Sequence, residues 1–317
     1  MNRASPLSLS PPLDRRHGEV LLLLTLALLM PVPLYLVSLA LFGLPHVITE
    51  LAYISHRYRG RWPWRWWIPI GLTLACQAVV RTGVWLGVYP PDAGQIADLA
   101  TLMVLAIVMG LAPMRLAWPA RLCALAMAVG LFWLLEQGQW LIALLILSML
   151  HNFTPLGLAW DLARENRQHL PMFRTFAIYF SLPVVVAMAG YSGHEVFLHT
   201  SESEAKLLAQ QIPHSWLAWG EGQQGALMSA LALAQCLHYL AVMRWLPATA
   251  RTTSVAMMGT KLVWLTVIAA SILMVYFWID YGRARQLYGI AAGFHAWLEW
   301  PILWMVLIGQ PSGQPQT

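Results

Sequence analysis

Long apolar stretches separated by short polar segments make up most of this chain. They lie at roughly 20–41, 66–88, 95–112, 120–136, 140–158, 174–192, 222–244, 260–280 and 287–308, and a shorter stretch covers about 44–57. A helix needs about 20 apolar residues to cross the hydrocarbon core of a bilayer. The pattern therefore predicts an all-α fold, a polytopic transmembrane helical bundle of about 9–10 helices.

The division of the first apolar stretches into helices has two solutions. Pro31-Val-Pro33 and Gly43-Leu-Pro45 each offer a break point. A helix that ends near Phe42 would leave a short second helix starting at Pro45, because proline suits the first turn of a helix. A break at Pro31 would instead give one kinked helix that carries His46 to the middle of the bilayer. The sequence leaves both solutions open.

Composition and charge agree with a membrane protein. Hydrophobic residues form 59% of the 317 residues and charged residues only 10%, whereas about a quarter of a soluble domain is charged. Basic residues favour cytoplasmic loops. One threading places most of them inside, with both termini cytoplasmic, and leaves only Lys206, Arg283 and Arg285 outside. The net charge of +5 reflects these inner loops, and we expect no nucleic-acid partner because no basic stripe alternates with stacking aromatics.

We interpret the chain as a single integral membrane domain over residues 1–317. Residues 1–18 are predicted to form a cytoplasmic tail, and 193–221 an outer loop. The loop contains three histidines whose spacing matches no metal-ligand pattern, so we expect it to be solvated. No repeat or low-complexity linker divides the sequence.

Two histidine–glutamate pairs inside apolar stretches are the strongest chemical signal. His46 precedes Glu50, and His295 precedes Glu299, by four residues each. Residues four apart share one face of a helix, so each pair can bind one side of an ion. An ionisable side chain at mid-bilayer costs roughly 2.5–3.5 kcal/mol on insertion scales and normally marks a functional site.

Two further histidines, His151 and His238, lie at similar depth in the predicted threading. A single buried histidine can instead hydrogen-bond a neighbouring helix, a contribution averaging about 0.6 kcal/mol. Six ligand-type residues from four helices exceed what such packing needs, and carboxylate plus imidazole is how helical bundles build di-iron centres. We predict a metal site, with the ligands His46, Glu50, His151, His238, His295 and Glu299. Iron (Fe²⁺) is the predicted metal, with manganese or zinc as alternatives, because these ions accept carboxylate and imidazole ligands.

Two other polar residues in apolar surroundings receive a different interpretation. His56 adjoins Arg57 at the inner end of its helix, so we expect it at the surface rather than in the metal site. Arg81 lies within a predicted span, and a buried guanidinium needs an anion. Glu136, a carboxylate near the metal site or an anionic lipid could supply it, and the sequence does not choose among them.

The segment Phe42-Gly-Leu-Pro-His46, a G-x-P-H motif followed by an acidic residue, resembles the start of the Brp/Blh family of bacterial and archaeal membrane proteins. The resemblance implies iron-dependent cleavage of β-carotene to retinal by a dioxygenase, with intramembrane histidines binding the iron. It implies that His46 is an iron ligand and that the protein lies in the bacterial inner membrane. The chain differs from that family in Glu50 and Glu299, which stand four residues after histidines.

Two functions from different classes follow from these residues. The first is a membrane oxygenase whose iron activates O₂ against a lipophilic substrate, such as a carotenoid or another isoprenoid or lipid, that enters from the bilayer. The second is a non-enzymatic carrier or sensor in which the same cluster binds metal ions or protons. Few polar residues flank the cluster in sequence, which favours the enzyme. Nothing in the sequence identifies a protein partner.

Overall fold

The computed structural model describes residues 13–58, 64–111, 118–138, 147, 149–191, 221–249 and 254–308. Ten helices of 12 residues or more form this part of the chain, and it contains no strand, so the all-α prediction is confirmed. They are α1 (Leu13–Leu29), α2 (Pro31–Tyr58), α3 (Trp64–Trp85), α4 (Pro91–Leu111), α5 (Trp118–Glu136), α6 (Thr154–Glu165), α7 (Leu170–Tyr191), α8 (Glu221–Leu240), α9 (Ser254–Ile279) and α10 (Tyr281–Ile308).

The first break in the bundle lies at Pro31. Helix α1 ends at Leu29 and α2 begins at Pro31, where the missing proline N–H is tolerated in a first turn. Pro45 lies inside α2, and its helix nevertheless continues to Tyr58. The second solution of the sequence analysis, with one long helix through His46 and Glu50, is therefore the observed one.

The stretch predicted as one helix over 140–158 contains a turn. A helical segment ends at His151, Asn152 and Phe153 form the turn, and α6 begins at Thr154. Pro155 lies in the first turn of α6. Proline has no backbone N–H, so it cannot continue the hydrogen bonding of the preceding helical segment. The single-helix prediction is wrong here, and the break leaves His151 at a helix end. Residues 139–146 and 148 lie outside the described part.

Within the described residues, six helices are long and apolar enough to cross a membrane, namely α2, α3, α4, α7, α8 and α9, with bounds that differ slightly from those above. Helix α8 is central, since 83% of its most apolar window is buried, against 17% for α9. Helix α8 continues past Leu240 through a π-helical turn, Ala241–Trp245, and a last turn, Leu246–Thr249. The six helices fit a membrane protein.

The packing gives the bundle two halves that meet at α10. Helix α8 packs against α1, α2 and α7, with Phe176 and Trp245 in the shared core. Helix α10 packs against α3, α4 and α6, with Leu99 and Trp297 in a second core. The polar cluster described below lies where α2, α8 and α10 come together with the helix end at His151.

Two predicted segments fall wholly or mostly outside the described residues. Of the predicted tail, residues 13–18 already belong to α1, and 1–12 are not described. Of the predicted outer loop, only Glu221 is described, as the first residue of α8.

Candidate metal centre

The structure brings the six predicted ligand residues together in one buried cluster. Helix α2 contributes His46 and Glu50, α8 contributes His238, α10 contributes His295 and Glu299, and His151 comes from the helix end before α6. All six are buried, and His151 is the most exposed at 9%. The four-residue spacing of the two pairs works as expected, because each helix turns both of its side chains toward the same centre.

Backbone carbonyls orient two of the imidazoles. His46 Nδ1 lies 3.1 Å from the carbonyl oxygen of Phe42, and His295 Nδ1 lies 2.9 Å from that of Ala292. A carbonyl can only accept, so each Nδ1 carries the hydrogen and donates it. The Nε2 atom of each ring is then left with its lone pair, which is the state that binds a metal.

The carboxylates lie among the imidazole nitrogens. Glu50 Oε2 is 3.2 Å from His238 Nε2 and 3.4 Å from His295 Nε2. Glu299 uses both oxygens, with Oε2 2.9 Å from His151 Nδ1 and Oε1 3.9 Å from His295 Nε2. For His295 this is the nitrogen opposite the one that donates to Ala292. Glu50 therefore sits on the metal-binding side of that ring, where a carboxylate serves as a ligand rather than as an outer support.

These close approaches do not satisfy the buried polar atoms. Neither carboxylate has a hydrogen bond to either oxygen, and the facing nitrogens of His151, His238 and His295 have none either. Buried polar groups are almost always hydrogen-bonded, and each one left unpaired costs about 1–3 kcal/mol. A cation at the centre would satisfy all of them together, so the donor set fits a metal ion.

The donor atoms are close enough to share such an ion. Two overlapping groups of four have ligand atoms within 4.8 Å of one another. One holds the four histidines, His46, His151, His238 and His295, and the other holds Glu50, His238, His295 and Glu299. The buried His/Glu cluster can therefore hold a metal ion, whose identity the arrangement leaves open.

Aromatic rings fill the space behind the donors. Tyr239 stacks on His46 with ring centroids 4.1 Å apart and an interplanar angle of 26°. The His46 ring also meets His238 and His295 edge-on, at 5.3 and 4.9 Å. Stacking on one face and edge contacts on the other confine the imidazole to one orientation.

The other polar residues singled out in the sequence lie elsewhere. His56 is exposed and does not belong to the cluster, and the three histidines of the predicted outer loop are outside the described residues. Arg81 pairs with Asp98, with 2.9 Å between Nε and Oδ1 and a second bond to Oδ2, whereas Glu136 is exposed. Of the anions considered for Arg81, the observed one, Asp98, was missed, although it is the only charged residue of the apolar stretch 95–112.

A second ionic cluster joins α2 to α6. Arg57 donates from Nε and Nη2 to Asp161 Oδ2, at 2.9 and 2.6 Å, and from Nη2 to Glu165 Oε2 at 2.7 Å. The Tyr58 hydroxyl also donates to Asp161, at 3.1 Å. The acidic residues of α6 gave no recognisable signal in the sequence, because their partner lies about 100 residues earlier.

Comparison of the chain with protein-family models, with curated proteins and with solved structures finds no match. The likeness to the Brp/Blh family therefore rests on its few residues around His46, and the function has to be argued from the cluster itself.

Proposed function

We propose that this protein is a membrane-embedded, iron-dependent oxygenase that acts on a lipophilic substrate such as a carotenoid or another isoprenoid. One observation carries the proposal. Four imidazoles and two carboxylates converge inside a bundle of apolar helices, and both carboxylates and the facing nitrogens of His151, His238 and His295 have no hydrogen-bond partner. Such a donor set is costly without a cation and well satisfied with one.

The donor types favour iron. Carboxylate and imidazole ligands suit iron, manganese and zinc, and all three cysteines are free and outside the cluster. Iron bound by these six residues would supply the activation of O₂ that the attack on an unreactive hydrocarbon requires. The metal analysis described below separates iron from manganese and zinc, and its stoichiometry separates one ion from two.

The residues of the chain itself hold the donors in place and keep water away. The backbone carbonyls of Phe42 and Ala292 fix two histidine tautomers, and Tyr239 covers one face of His46. Leu233 and Leu237 of α8 are fully buried in the apolar core that this helix shares with its neighbours. A dry, shaped site of this kind is what a protein contributes to metal catalysis.

An apolar cavity lies between α10 and the helices α4 and α5, on the face of α10 opposite His295 and Glu299. Trp300, Pro301 and Trp304, which follow Glu299 on α10, form one wall, and Leu105, Met109 and Met127 of α4 and α5 lie opposite. Its volume is about 10 Å³, room for one water-sized molecule. A cavity of this size on this face of α10 does not hold a carotenoid-sized substrate beside the donors.

The proposal places the protein in a bacterial inner membrane with both termini in the cytoplasm, as the distribution of basic residues favours. A lipophilic substrate would then enter the bundle from the lipid, and several large apolar residues of α5 are exposed, among them Leu122, Val129 and Phe132.

Metal analysis and turnover on one preparation test this function. Protein purified in mild detergent should contain at least half an equivalent of iron and consume O₂ when β-carotene is added. His238→Ala should lose both properties, and His56→Ala, an exposed histidine, should keep both. Less than a tenth of an equivalent of any transition metal in the wild type, with none taken up on reconstitution, would overturn the metal site. Full iron with no O₂ uptake on a panel of carotenoids and other isoprenoids would overturn the oxygenase.

A second function, a metal-ion or proton carrier, is favoured by polar side chains on both sides of the cluster. Tyr53 and Arg57 follow Glu50 along α2, and Arg57 leads to Asp161 and Glu165. On the other side, Gln235 donates to Ser38 at 2.7 Å, one turn before Tyr239. Uptake of Fe²⁺ or protons into protein-containing vesicles, absent with His238→Ala, would favour the carrier. Iron that stays bound without crossing would favour the enzyme.

A further inference from the structure

The buried carboxylate of Asp98 on α4 has three partners. Its Oδ1 accepts from Gln77 Nε2 at 2.8 Å and from Arg81 Nε at 2.9 Å, both on α3. The same oxygen accepts from the indole N–H of Trp297 on α10, at 3.2 Å. Arg81 Nη2 bonds to the other oxygen, so the guanidinium holds the carboxylate with two parallel bonds.

Four hydrogen bonds and the guanidinium charge engage this carboxylate, with three bonds on Oδ1 and one on Oδ2. Asp98 is 4% exposed, and its two oxygens receive four donors from two helices. A carboxylate so fully engaged is neither an available metal ligand nor an available proton acceptor. What it can do is fix the positions of the helices that bond to it.

Helix α10 turns opposite faces to this network and to the metal cluster. Successive residues advance by about 100° around a helix, so Trp297 points about 160° away from both His295 and Glu299. Gly289 and Gly293 precede Trp297 by eight and four residues and lie on the same face as its ring. Anchoring that face fixes the rotation of α10 about its own axis, which determines where the two ligands on the other face point.

The two glycines bring this face of α10 close to α3. A Cβ atom on Gly293 would collide with the side-chain amide of Gln77 and lie 3.3 Å from Arg81 Nε. A Cβ on Gly289 would lie 2.8 Å from Arg81 Nη1. Small residues let helix backbones approach in membranes, and here they let the polar side chains of α3 reach the surface of α10.

We infer that the Asp98 network and the Gly289–Gly293–Trp297 face of α10 are positioning elements that set the depth and rotation of His295 and Glu299 in the metal site. The inference rests on the proposed metal site. It assigns the partly exposed guanidinium of Arg81 a role in the geometry of the metal ligands, although Arg81 itself is not a ligand.

The test measures metal geometry rather than activity. The apoprotein is titrated with cobalt(II), whose visible absorption bands report ligand number and symmetry, and affinity is taken from the same titration. Trp297→Phe removes the indole N–H together with the five-membered part of the ring, and Gly293→Ala adds one methyl group against Gln77. Both should weaken cobalt binding about tenfold or more, the range found when partners of metal ligands are lost, and both should change the band pattern.

Two control variants make the same substitutions at positions where the changed side chain has no close neighbour. Trp278→Phe alters an indole that is 93% exposed, and Gly71→Ala adds a methyl group on α3 with no atom within 4 Å. Both should bind cobalt as the wild type does.

Three further results would decide the matter. Unchanged affinity and bands in both Trp297→Phe and Gly293→Ala, with the wild type binding cobalt normally, would overturn the positioning role and leave the metal site standing. A wild type that binds neither cobalt nor iron would overturn both. If Gly293→Ala does not fold, as judged by circular dichroism, Trp297→Phe alone decides the inference.

Discussion

Glu299 on α10 faces His151, which ends the helical segment before α6, with 2.9 Å between Oε2 and Nδ1. Its other oxygen is directed toward His295 on the same helix, 3.9 Å away. One carboxylate thus joins a histidine from a helix end to a histidine of its own helix. Glu50 on α2 joins His238 on α8 to His295 on α10 through a single oxygen, Oε2. Each glutamate has two imidazoles beside it, which makes the glutamates the residues to test first.

Replacing Glu50 or Glu299 by glutamine should lower metal occupancy at least tenfold while the helical content stays unchanged. Glutamine keeps the shape of the side chain and removes the anion, so it removes a strong ligand for a hard cation. Metal content per protein, with circular dichroism as the check on folding, measures the effect. Glu136→Gln makes the same change at an exposed site and should bind metal normally. Equal loss in all three variants would indicate unfolding and would require the ligand assignment to be withdrawn.

The sequence was sufficient for most of the helices and for both His/Glu pairs, because these depend on local spacing. Apolar runs of spanning length and side chains four residues apart follow from helix geometry alone. Isolated polar side chains are costly inside an apolar bundle. That cost was the reason to expect that His151 and His238 would lie beside the two His/Glu pairs.

The partners of buried charges could not be predicted in the same way. Arg81 and Asp98 are 17 residues apart on different helices, and nothing in either sequence stretch selects one carboxylate over another. The same holds for Arg57 and Asp161. Such choices depend on how helices pack, which in turn depends on small residues such as Gly293 whose role is visible only once the neighbouring helix is in place. The turn at Asn152 was missed because Pro155 is also compatible with a kinked continuous helix.

Removing the metal should destabilise the protein. A ligand that binds only the folded state adds stability that grows with its concentration, about 2.7 kcal/mol at a hundred times its dissociation constant. We expect a chelator to lower the thermal unfolding temperature by several degrees and added Fe²⁺ to restore it. The double variant Glu50→Gln/Glu299→Gln should show neither response. A chelator that has no effect on the wild type would contradict a metal bound in the folded core.

The ion cluster between α2 and α6 should contribute to stability through Asp161 more than through Glu165. Asp161 and Arg57 have side chains only 10% and 11% exposed, whereas Glu165 is 42% exposed. Asp161→Asn leaves Arg57 with only the exposed Glu165 as a counter-charge and loses hydrogen bonds to a charged group, worth about 1.5–3 kcal/mol, while an exposed pair is worth at most about 1 kcal/mol. Asp161→Asn should therefore lower the free energy of unfolding well below that of Glu165→Gln. Denaturant titration of both variants in detergent provides the comparison, and equal effects would contradict the burial argument.

Tyr239 should support the metal site through its ring and not through its hydroxyl. The ring stacks on His46 at 4.1 Å, on the helix turn next to His238. Tyr239→Phe keeps this stacking, so we expect its metal affinity to stay within about threefold of the wild type. Tyr239→Ala leaves a cavity that costs about 3–5 kcal/mol, the range for removing a large aromatic side chain from a core, and it frees the His46 ring to turn away from the centre. Metal titration and thermal unfolding of the two variants separate the contributions. A Phe variant as defective as the Ala variant would show that the phenol oxygen, rather than the ring, holds the site together.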